Sequence, residues 1–315
     1  MLVTSPNGHP PSRSVIAISI TLLMTIWAVN FLVVKVGLRY LPALTFASFR
    51  IVAAGLFMVA IAPVCRRLPM FASRSDKARI TSRDLFTFAY LGFFGVAINQ
   101  FCFTLGLRYT NVTHSSIIVG LAPIYTLTLV VLLRLERLTC RKAVGMGVAF
   151  AGVAILASAT GISHRSPTPL GDAITMCGSL GFATYVVLGK RVSAIYDALT
   201  MTTWNFIFGA AIVLPIAIQQ AVSIHVLQAW RTIPLRAWGC VVFTGLFSST
   251  LAYLFYYWLL RYLEASQLAS FSYLLPVSAS GLSIVFLGER GSYVELLGGL
   301  LALLGVYWIE STRNH

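Results

Sequence analysis

Polar side chains that could bind a solute stand alone inside long apolar stretches of this chain. Asn30, Arg50 and Gln100 each interrupt a run of hydrophobic residues, and Asn99 is next to Gln100. An amide offers both donors and acceptors, and a guanidinium offers a charge and a planar set of donors that match a carboxylate. Such side chains are costly where they face lipid, so in a membrane they point into the protein.

The composition indicates what surrounds these polar residues. Of the 315 residues, 58% are hydrophobic and 10% are charged, whereas a soluble domain has about 25% charged residues. Such a chain has too few polar groups to cover a surface that faces water. A soluble enzyme, a nucleic-acid-binding domain and a disordered protein are therefore excluded, and a polytopic membrane protein remains.

Ten apolar stretches are long enough to cross a bilayer as helices, which takes about 20 residues each. They lack the alternation of barrel strands, and a helix satisfies its backbone hydrogen bonds within one segment. We expect the first stretch to be retained, because it is longer than the apolar part of a signal peptide and no small-residue cleavage site follows it. The stretches are 16–36, 43–63, 85–106, 112–133, 143–160, 171–189, 198–219, 238–260, 266–287 and 293–310.

Lysine and arginine residues are distributed unevenly between the two sides of the predicted bundle. With both termini in the cytoplasm, 15 of them lie in cytoplasmic segments and six in external loops, and this bias sets the orientation of membrane proteins. The basic loop 64–84 then lies against anionic lipid headgroups, so the net charge of +14 requires no nucleic acid as a partner. We predict a multi-pass protein of a plasma membrane, the inner membrane of a bacterium.

The sequence contains an internal repeat. LRYTNVTHSSIIVGLAP (107–123) lies 153 positions before LRYLEASQLASFSYLLP (260–276), and the ungapped alignment that continues from here has 12 identities in 47 positions. Nearer the start of each half the offset is 155, which pairs Lys35 with Lys190. The chain therefore consists of two copies of one unit.

Each copy, at residues 16–160 and 171–311, contains five predicted helices. Because five is odd, the second copy enters the membrane from the opposite side. Inverted repeats are typical of transporters, because one unit folded in two orientations supports an inward-open and an outward-open state of similar energy. The sequence thus predicts an all-α membrane protein, with ten transmembrane helices in two inverted five-helix repeats, that works by alternating access.

Several motifs occur in a fixed order in the two copies. They are WAVNFLVVKVGLRYLPALTFASFR (27–50), LRYTNVTHSSIIVGLAPIYT (107–126), LERLT (135–139), GMGVAFAGVAIL (145–156), LLRYLEASQLASFSYLLPV (259–277) and LGER (287–290). Together they resemble the EamA-type repeat of the drug/metabolite transporter superfamily. The resemblance implies a ten-helix exporter of metabolites or amino acids that uses no cofactor. The second copy departs from the first where LERLT becomes LGERGS, which weakens the equivalence of these two loops.

The repeat also selects candidate substrate-binding residues, since positions related by the two-fold axis should face one cavity from opposite sides. Asn30 corresponds to Tyr185 and Gln100 to Tyr253, so both members of each pair are polar or aromatic. The alternatives are hydrogen bonding between helices without contact to a solute and, for aromatic residues near span ends, an interfacial belt. The candidates are Trp27, Asn30, Arg50, Asn99, Gln100, Tyr185, Trp204, Asn205, Tyr253 and Tyr256.

Arg50, which corresponds to Asn205, lies farther from the span ends than the other charged residues within spans. An unpaired charge is expensive there, so its side chain pairs with backbone carbonyls, extends to the headgroups or meets a substrate carboxylate. If it faces the cavity, we expect a substrate with a carboxylate. Pro123 and Pro276 lie near the centres of two predicted spans, where a proline kinks a helix. Such kinks either flex along the transport pathway or belong to static packing.

Other features leave several alternatives open. The central parts of the spans contain no Asp, Glu or His, which favours facilitated diffusion or exchange over proton antiport. Drugs and other amphipathic solutes remain possible substrates. The chain has no H-E-x-x-H, G-x-S-x-G or C-x-x-C motif, so we expect neither an enzyme nor a metal site. A non-transporting scaffold is a further alternative.

Rows of small residues predict close helix contacts. Gly145 and Ala149 correspond to Gly298 and Ala302, and such rows let helices approach closely in a membrane. We interpret them as packing within the chain. A dimer seam would use the same residues, so the sequence leaves both a monomer and a homodimer open.

Overall fold

The computed structural model describes residues 11–68, 71, 80–109, 115, 118–159, 168–223, 232–275, 277–278 and 293–310. The regular structure in these ranges is helical. Each of the ten predicted spans contains a helix, which confirms the fold class as an all-α membrane protein of two inverted five-helix repeats.

Five helices form each repeat. The first has α1 (Arg13–Gly37), α2 (Ala43–Cys65), α3 (Ser82–Tyr109), α4 (Ala122–Leu132) and α5 (Cys140–Ala159). The second has α6 (Pro169–Val192), α7 (Ala198–Val222), α8 (Leu235–Leu260), α9 (Ala265–Ser270) with a 3₁₀ turn at Phe271–Tyr273, and α10 (Tyr293–Glu310). In the described ranges, α1, α2, α3, α6, α7 and α8 are long and apolar enough to cross a membrane.

Consecutive helices joined by short loops run in opposite directions through the bundle. We therefore name the side at which α1 begins the N side, and the other the opposite side. Polar residues start several helices. The side chain of Thr168 accepts from the N–H of Gly171 at the start of α6, and that of Asp197 accepts from the N–H of Thr200 in α7. These side chains satisfy N–H groups that have no partner within the first helical turn.

The two repeats interlock through equivalent helices, because α2 packs on α7 and α5 packs on α10. A Cβ atom added to Gly152 of α5 would lie 2.4 Å from the backbone nitrogen of Ala302, and one added to Gly305 of α10 would lie 2.6 Å from the Cβ atom of Ala149. The small-residue rows of the two copies therefore pack against each other within the chain.

Two π-helical segments interrupt α3 and α8 at equivalent positions. They are Phe93–Ile98 and Thr244–Leu251, and the 153-residue offset superimposes their C-terminal ends. The apolar pattern of these spans does not predict them. A π turn changes which carbonyls are bonded along the helix, and such turns are frequent at functional sites. The carbonyls of Gly95 and Ser248, which are equivalent, accept hydrogen bonds from side chains of the other repeat.

The structure corrects the expected kink at Pro123. Residues 120–121 form a turn and α4 begins at Ala122, so Pro123 lies in the first turn of this helix and not in its interior. A proline fits there because the N–H group at this position has no intrahelical partner in any case. The predicted span is broken by a turn at this point. Pro276 lies outside the described residues.

Candidate functional site

A cavity lies between the two repeats. It is lined by α1, α2, α3, α4, α6 and α8 and by residues that follow α9. Two lining residues, Arg50 and Thr175, lie about 10 Å along α2 and α6 from the ends on the opposite side. The empty volume is about 680 Å³, including the part continuous with solvent.

Arg50 brings a positive charge into this cavity. Its side chain does not extend to the headgroups, because the residue is only 3% exposed. Its Nη1 donates to Oγ1 of Thr104 at 3.5 Å and its Nη2 to Oγ of Ser249 at 3.4 Å, while Nε has no partner. The guanidinium thus makes two long hydrogen bonds to neutral hydroxyls, and among the residues that the structure describes no acidic side chain lines the cavity beside it.

A hydrogen-bond network next to the guanidinium joins the two repeats. The hydroxyl of Ser249 donates to Oε1 of Gln100 at 2.8 Å, and the hydroxyl of Tyr253 donates to Oδ1 of Asn99 at 2.7 Å. Nδ2 of Asn99 donates to the carbonyl of Gly178 at 3.0 Å. These bonds connect α3 to α6 and α8. Nε2 of Gln100 has no partner and remains a donor beside the cavity.

Aromatic rings form part of the wall. Trp27 lies edge-on to Phe182, with 5.7 Å between ring centroids, and to Tyr253, with 6.0 Å. Nε1 of Trp27 donates to the carbonyl of Ser248 at 3.1 Å, and the hydroxyl of Tyr253 also donates to the carbonyl of Gly95 at 3.3 Å. These two carbonyls belong to the π-helical segments, so the segments fix the orientation of the rings.

Asn30 supplies an unpaired acceptor. The residue lines the cavity, is 7% exposed, and its Oδ1 has no hydrogen-bond partner. A carbonyl oxygen in this position is available to accept a hydrogen bond from a donor in the cavity. The cavity therefore combines unpaired donors on Arg50 and Gln100 with an unpaired acceptor on Asn30.

Four of the ten candidate residues do not line the cavity, and all four belong to the second repeat. Tyr185 and Asn205 are fully buried, and Nδ2 of Asn205 donates to the hydroxyl of Tyr185 at 3.5 Å. Tyr256 packs behind Trp27, with 5.6 Å between ring centroids, and Trp204 is half-buried against the hydrophobic core. For these residues the geometry favours packing and contacts between helices over contact with a solute.

The residue pattern missed the hydroxyl groups around Arg50. Ser249 and Thr104 accept its hydrogen bonds, and the neighbouring Ser248 lines the cavity. A signal for the two serines is present in the run FSSTL (247–251), which interrupts an apolar span with three hydroxyl residues. The hydroxyl of Thr104 has no such signal, because it also bonds the carbonyl four residues earlier in its own helix, as a threonine in any helix does.

The cavity offers binding groups and few reactive ones. Its lining, in the described part of the chain, contains no Asp, Glu or His. Among the residues that the structure describes, no group of three or more His, Cys, Asp or Glu could hold a metal ion. The arrangement provides hydrogen bonds, aromatic surface and a positive charge, which bind and orient a small molecule.

Fold and cavity together define the class of protein. Two inverted repeats of membrane helices that enclose a cavity lined by apolar, aromatic and polar side chains have the architecture of a membrane transporter. A family model described as the EamA-like transporter family matches residues 14–158 and, a second time, residues 169–311. The chain belongs to the EamA-like transporter family, which confirms the resemblance seen in its motifs, and it is a multi-pass membrane protein.

Similar proteins cover almost the whole chain. An uncharacterized transporter of Archaeoglobus fulgidus is 29% identical over 94% of this chain and 99% of its own length. A probable terminal-alkyne amino-acid exporter of Streptantibioticus cattleyicolor is 24% identical over 95% of this chain and 94% of its own length. A crystal structure of a protein with 16% identity has a TM-score of 0.71, covers 96% of this chain and 98% of its own, and has the same fold.

Proposed function

We propose that this protein is a secondary transporter that exports amino acids or related carboxylates across the plasma membrane of a bacterium. The observation that carries the proposal is the buried guanidinium of Arg50 in a cavity whose lining, as far as the structure describes it, has no acidic residue. Its partners are the small solute and the lipid bilayer, with no nucleic acid, no cofactor and no catalysed reaction. It works as a monomer or a homodimer.

A carboxylate is the chemical group that fits Arg50. A guanidinium forms charge-assisted hydrogen bonds with a carboxylate that are stronger than bonds to neutral oxygens. Here its donors meet hydroxyl oxygens at 3.4 and 3.5 Å, and Nε meets none. A bound carboxylate supplies the counter-charge that a cation inside a membrane requires. The probable terminal-alkyne amino-acid exporter of Streptantibioticus cattleyicolor supports this solute class.

The remainder of the cavity favours an amphipathic solute. Trp27, Phe103 and Phe182 present aromatic surface, and the unpaired Oδ1 of Asn30 accepts a hydrogen bond from an ammonium group. A basic amino acid would bring a further positive charge into a lining whose described residues include no acid to pair with it. An amino acid with an apolar side chain therefore fits the cavity better than a basic one.

The inverted repeats support transport by alternating access, in which the solute site opens to one side and then to the other. The excess of lysine and arginine on the N side supports a cytoplasmic location for both termini. The outward direction of transport rests on the exporter relative. The lack of a titratable acid or histidine in the described lining favours exchange or facilitated diffusion over proton antiport.

Counterflow into proteoliposomes tests the solute class. Vesicles containing the purified protein are loaded with apolar amino acids one at a time, and uptake and efflux of the labelled solute are followed with and without a pH gradient. For phenylalanine as the probe, we expect 3-phenylpropionate to compete, because it keeps the carboxylate, and phenylalaninol not to compete. Equal competition by the alcohol would contradict the role of Arg50 and would favour drugs or other amphipathic solutes.

Two arginine variants distinguish the effect of the charge in the cavity from the effect of removing a positive charge elsewhere in the protein. Arg50→Gln removes the guanidinium from the cavity, whereas Arg39→Gln removes an exposed one from the loop between α1 and α2. We expect Arg50→Gln to lose counterflow of the acid and Arg39→Gln to keep it, with both proteins inserted in the membrane in equal amounts. Normal counterflow in Arg50→Gln would overturn the proposed contact.

A further inference from the structure

A buried charge cluster holds the turn between α8 and α9 on the N side. Glu136, in the loop after α4, accepts through Oε1 from the backbone N–H groups of Ala265 at 2.9 Å and Ser266 at 3.3 Å. Its Oε2 accepts from the hydroxyl of Ser266 and, at 2.9 Å, from Nζ of Lys142. The side chain of Glu136 is only 8% exposed. One carboxylate of the first repeat is thus held by four donors, three of them in the second repeat.

Glu136 acts as the cap of α9. The first N–H groups of a helix have no intrahelical partner, and the side chain of Glu264, the residue at the cap position, makes no capping bond. The carboxylate of Glu264 instead lies 2.6 Å from Nζ of Lys142. The cap therefore comes from a residue 129 positions before Ala265. Separation of α9 from the first repeat would remove three of the four donors to this buried carboxylate and leave two N–H groups without partners, which is costly.

Lys190, near the end of α6, holds the other end of the same turn. Its Nζ donates to the backbone carbonyls of Leu260 and Leu263, where α8 ends. The last carbonyls of a helix lack intrahelical partners and attract a cation. On the same side, Phe71 is 5% exposed and packs on Phe255 of α8, with 6.1 Å between ring centroids. The N-side ends of α8 and α9 are therefore fixed by charge and by packing.

The equivalent lysine on the opposite side is in a different state. Lys35 corresponds to Lys190, and Leu107 corresponds to Leu260. The side chain of Lys35 is exposed and makes no hydrogen bond to any residue that the structure describes. Lys190 is thus engaged on the N side, whereas Lys35, on the side toward which the cavity lies, is engaged with none of the residues that the structure describes.

We propose that Glu136 and Lys190 form a latch that closes the N side in the state seen here, and that the solute crosses only when this latch opens. Because the repeats are inverted, Lys35 engages the end of α3 in the alternate state, as Lys190 now engages the end of α8. The latch determines which side the cavity faces and does not depend on the solute that is carried. The latch proposal can therefore be tested independently of the proposed solute class.

A cysteine in the cavity reports which side is open. In a protein whose five cysteines are replaced by serine, Ser179→Cys places one thiol in the cavity lining. A membrane-impermeant maleimide is added to sealed vesicles of each orientation, and labelling rates from the two sides are compared without any solute. The parent protein should be labelled faster from the opposite side.

Variants of the two equivalent lysines should shift this labelling in opposite directions. We expect Glu136→Gln and Lys190→Gln each to raise the ratio of N-side to opposite-side labelling about tenfold, as the loss of a charge-assisted hydrogen bond predicts. Lys35→Gln should lower that ratio, because it weakens the alternate state. Unchanged labelling in both latch variants, or a shift in the same direction by Lys35→Gln and Lys190→Gln, would overturn the latch.

Two further variants are controls that distinguish loss of the latch from a general loss of fold. Arg191→Gln removes the exposed cation next to Lys190 and should leave the labelling ratio unchanged. Lys190→Arg keeps a cation at the end of α8 and should retain most of the parent ratio. Each variant is required to elute as a monodisperse peak in detergent. If Glu136→Gln fails this requirement, the comparison of Lys190→Gln with Lys190→Arg and Arg191→Gln decides the question.

Discussion

The two repeats share one fold but differ at the cavity. The first-repeat members of four equivalent pairs all line it, whereas two of their second-repeat counterparts, Tyr185 and Asn205, are fully buried and bonded to each other. Phe182 and Tyr253 of the second repeat do line it, and both present aromatic surface. The pairs are Trp27–Phe182, Asn30–Tyr185, Arg50–Asn205 and Gln100–Tyr253.

This difference fits the proposed transport of an amino acid. Alternating access, as proposed, needs two halves of similar backbone, whereas the proposed solute has a carboxylate at one end and an apolar group at the other. A second arginine at position 205 would place two like charges in a low-dielectric interior whose described lining has no acid to separate them. One copy therefore carries the charge, and the other uses the equivalent position for hydrogen bonding within its own helices.

The largest expected effect comes from moving the charge between the copies. In the double variant Arg50→Asn with Asn205→Arg, the guanidinium would lie beside Tyr185 and not in the cavity. We expect counterflow of the acid to fall about 100-fold, as the loss of two charge-assisted hydrogen bonds predicts, and Arg50→Asn alone to fall as much. Recovery of flux in the double variant would show that the two positions are interchangeable.

The two repeats supply equivalent rows of small residues to the contact between α5 and α10. Substitutions in this contact therefore test helix packing and not solute binding. Gly152→Leu would drive a side chain into the backbone of Ala302 and should cost about 3 kcal/mol through overpacking. Gly147→Leu, on the same helix, is the matched control, because a Cβ atom there meets no atom within 4 Å. Thermal unfolding in detergent should show a lower Tm for the first variant only. Equal Tm values would contradict the observed contact.

Variants of Asn30 and of its equivalent Tyr185 distinguish a residue that contacts the solute in the cavity from one that only forms a hydrogen bond within the protein. Asn30→Ala removes an unpaired acceptor from the lining and should lower solute affinity about tenfold, the value of a hydrogen bond to a charged group. Tyr185→Phe removes a hydroxyl that bonds Asn205 at 3.5 Å outside the cavity and should leave affinity unchanged. Counterflow at several solute concentrations measures both. If Tyr185→Phe lowered solute affinity more than Asn30→Ala, the assignment of Asn30 to solute contact and of Tyr185 to internal hydrogen bonding would be wrong.

The smallest expected effect concerns the bond between Trp27 and a π-helical carbonyl. Trp27→Phe keeps an aromatic ring against Phe182 but removes the donor to the carbonyl of Ser248. We expect flux to fall about fivefold, the value of one neutral hydrogen bond. Trp204→Phe, away from the cavity, should leave flux at the level of the parent. A Trp27→Phe protein with normal flux would show that this bond is dispensable for the ring's position.

Local pattern and the repeat made much of the fold predictable. Each of the ten apolar runs contains a helix in the part of the chain that the structure describes, because a run of about 20 apolar residues in lipid has few ways to satisfy its backbone other than as a helix. The match between Gly145 and Gly298 indicated packed small-residue rows, and the contact between α5 and α10 uses these rows. Arg50, Asn30 and Gln100 stood out for the same reason, since a polar side chain in an apolar run must point inward.

Other features depend on which helices meet, and the pattern within one span does not specify them. Tyr185 and Tyr253 are both tyrosines in apolar helices, yet only Tyr253 lines the cavity. The residue pattern placed Pro123 inside a helix, whereas a turn at residues 120–121 makes it the start of one. The π-helical segment Phe93–Ile98 has an apolar sequence that an ordinary α-helix would also accept.

The sequence by itself determined the number of helices, their duplication and the inversion of the second copy, because these follow from the length of apolar runs and from an odd number of spans. The tertiary structure alone decided whether one member or both members of each equivalent pair face the cavity. It also decided that Glu136 caps α9 across 129 positions of sequence. Such contacts join elements far apart along the chain, and their partners are selected by packing between helices rather than by the residues around them.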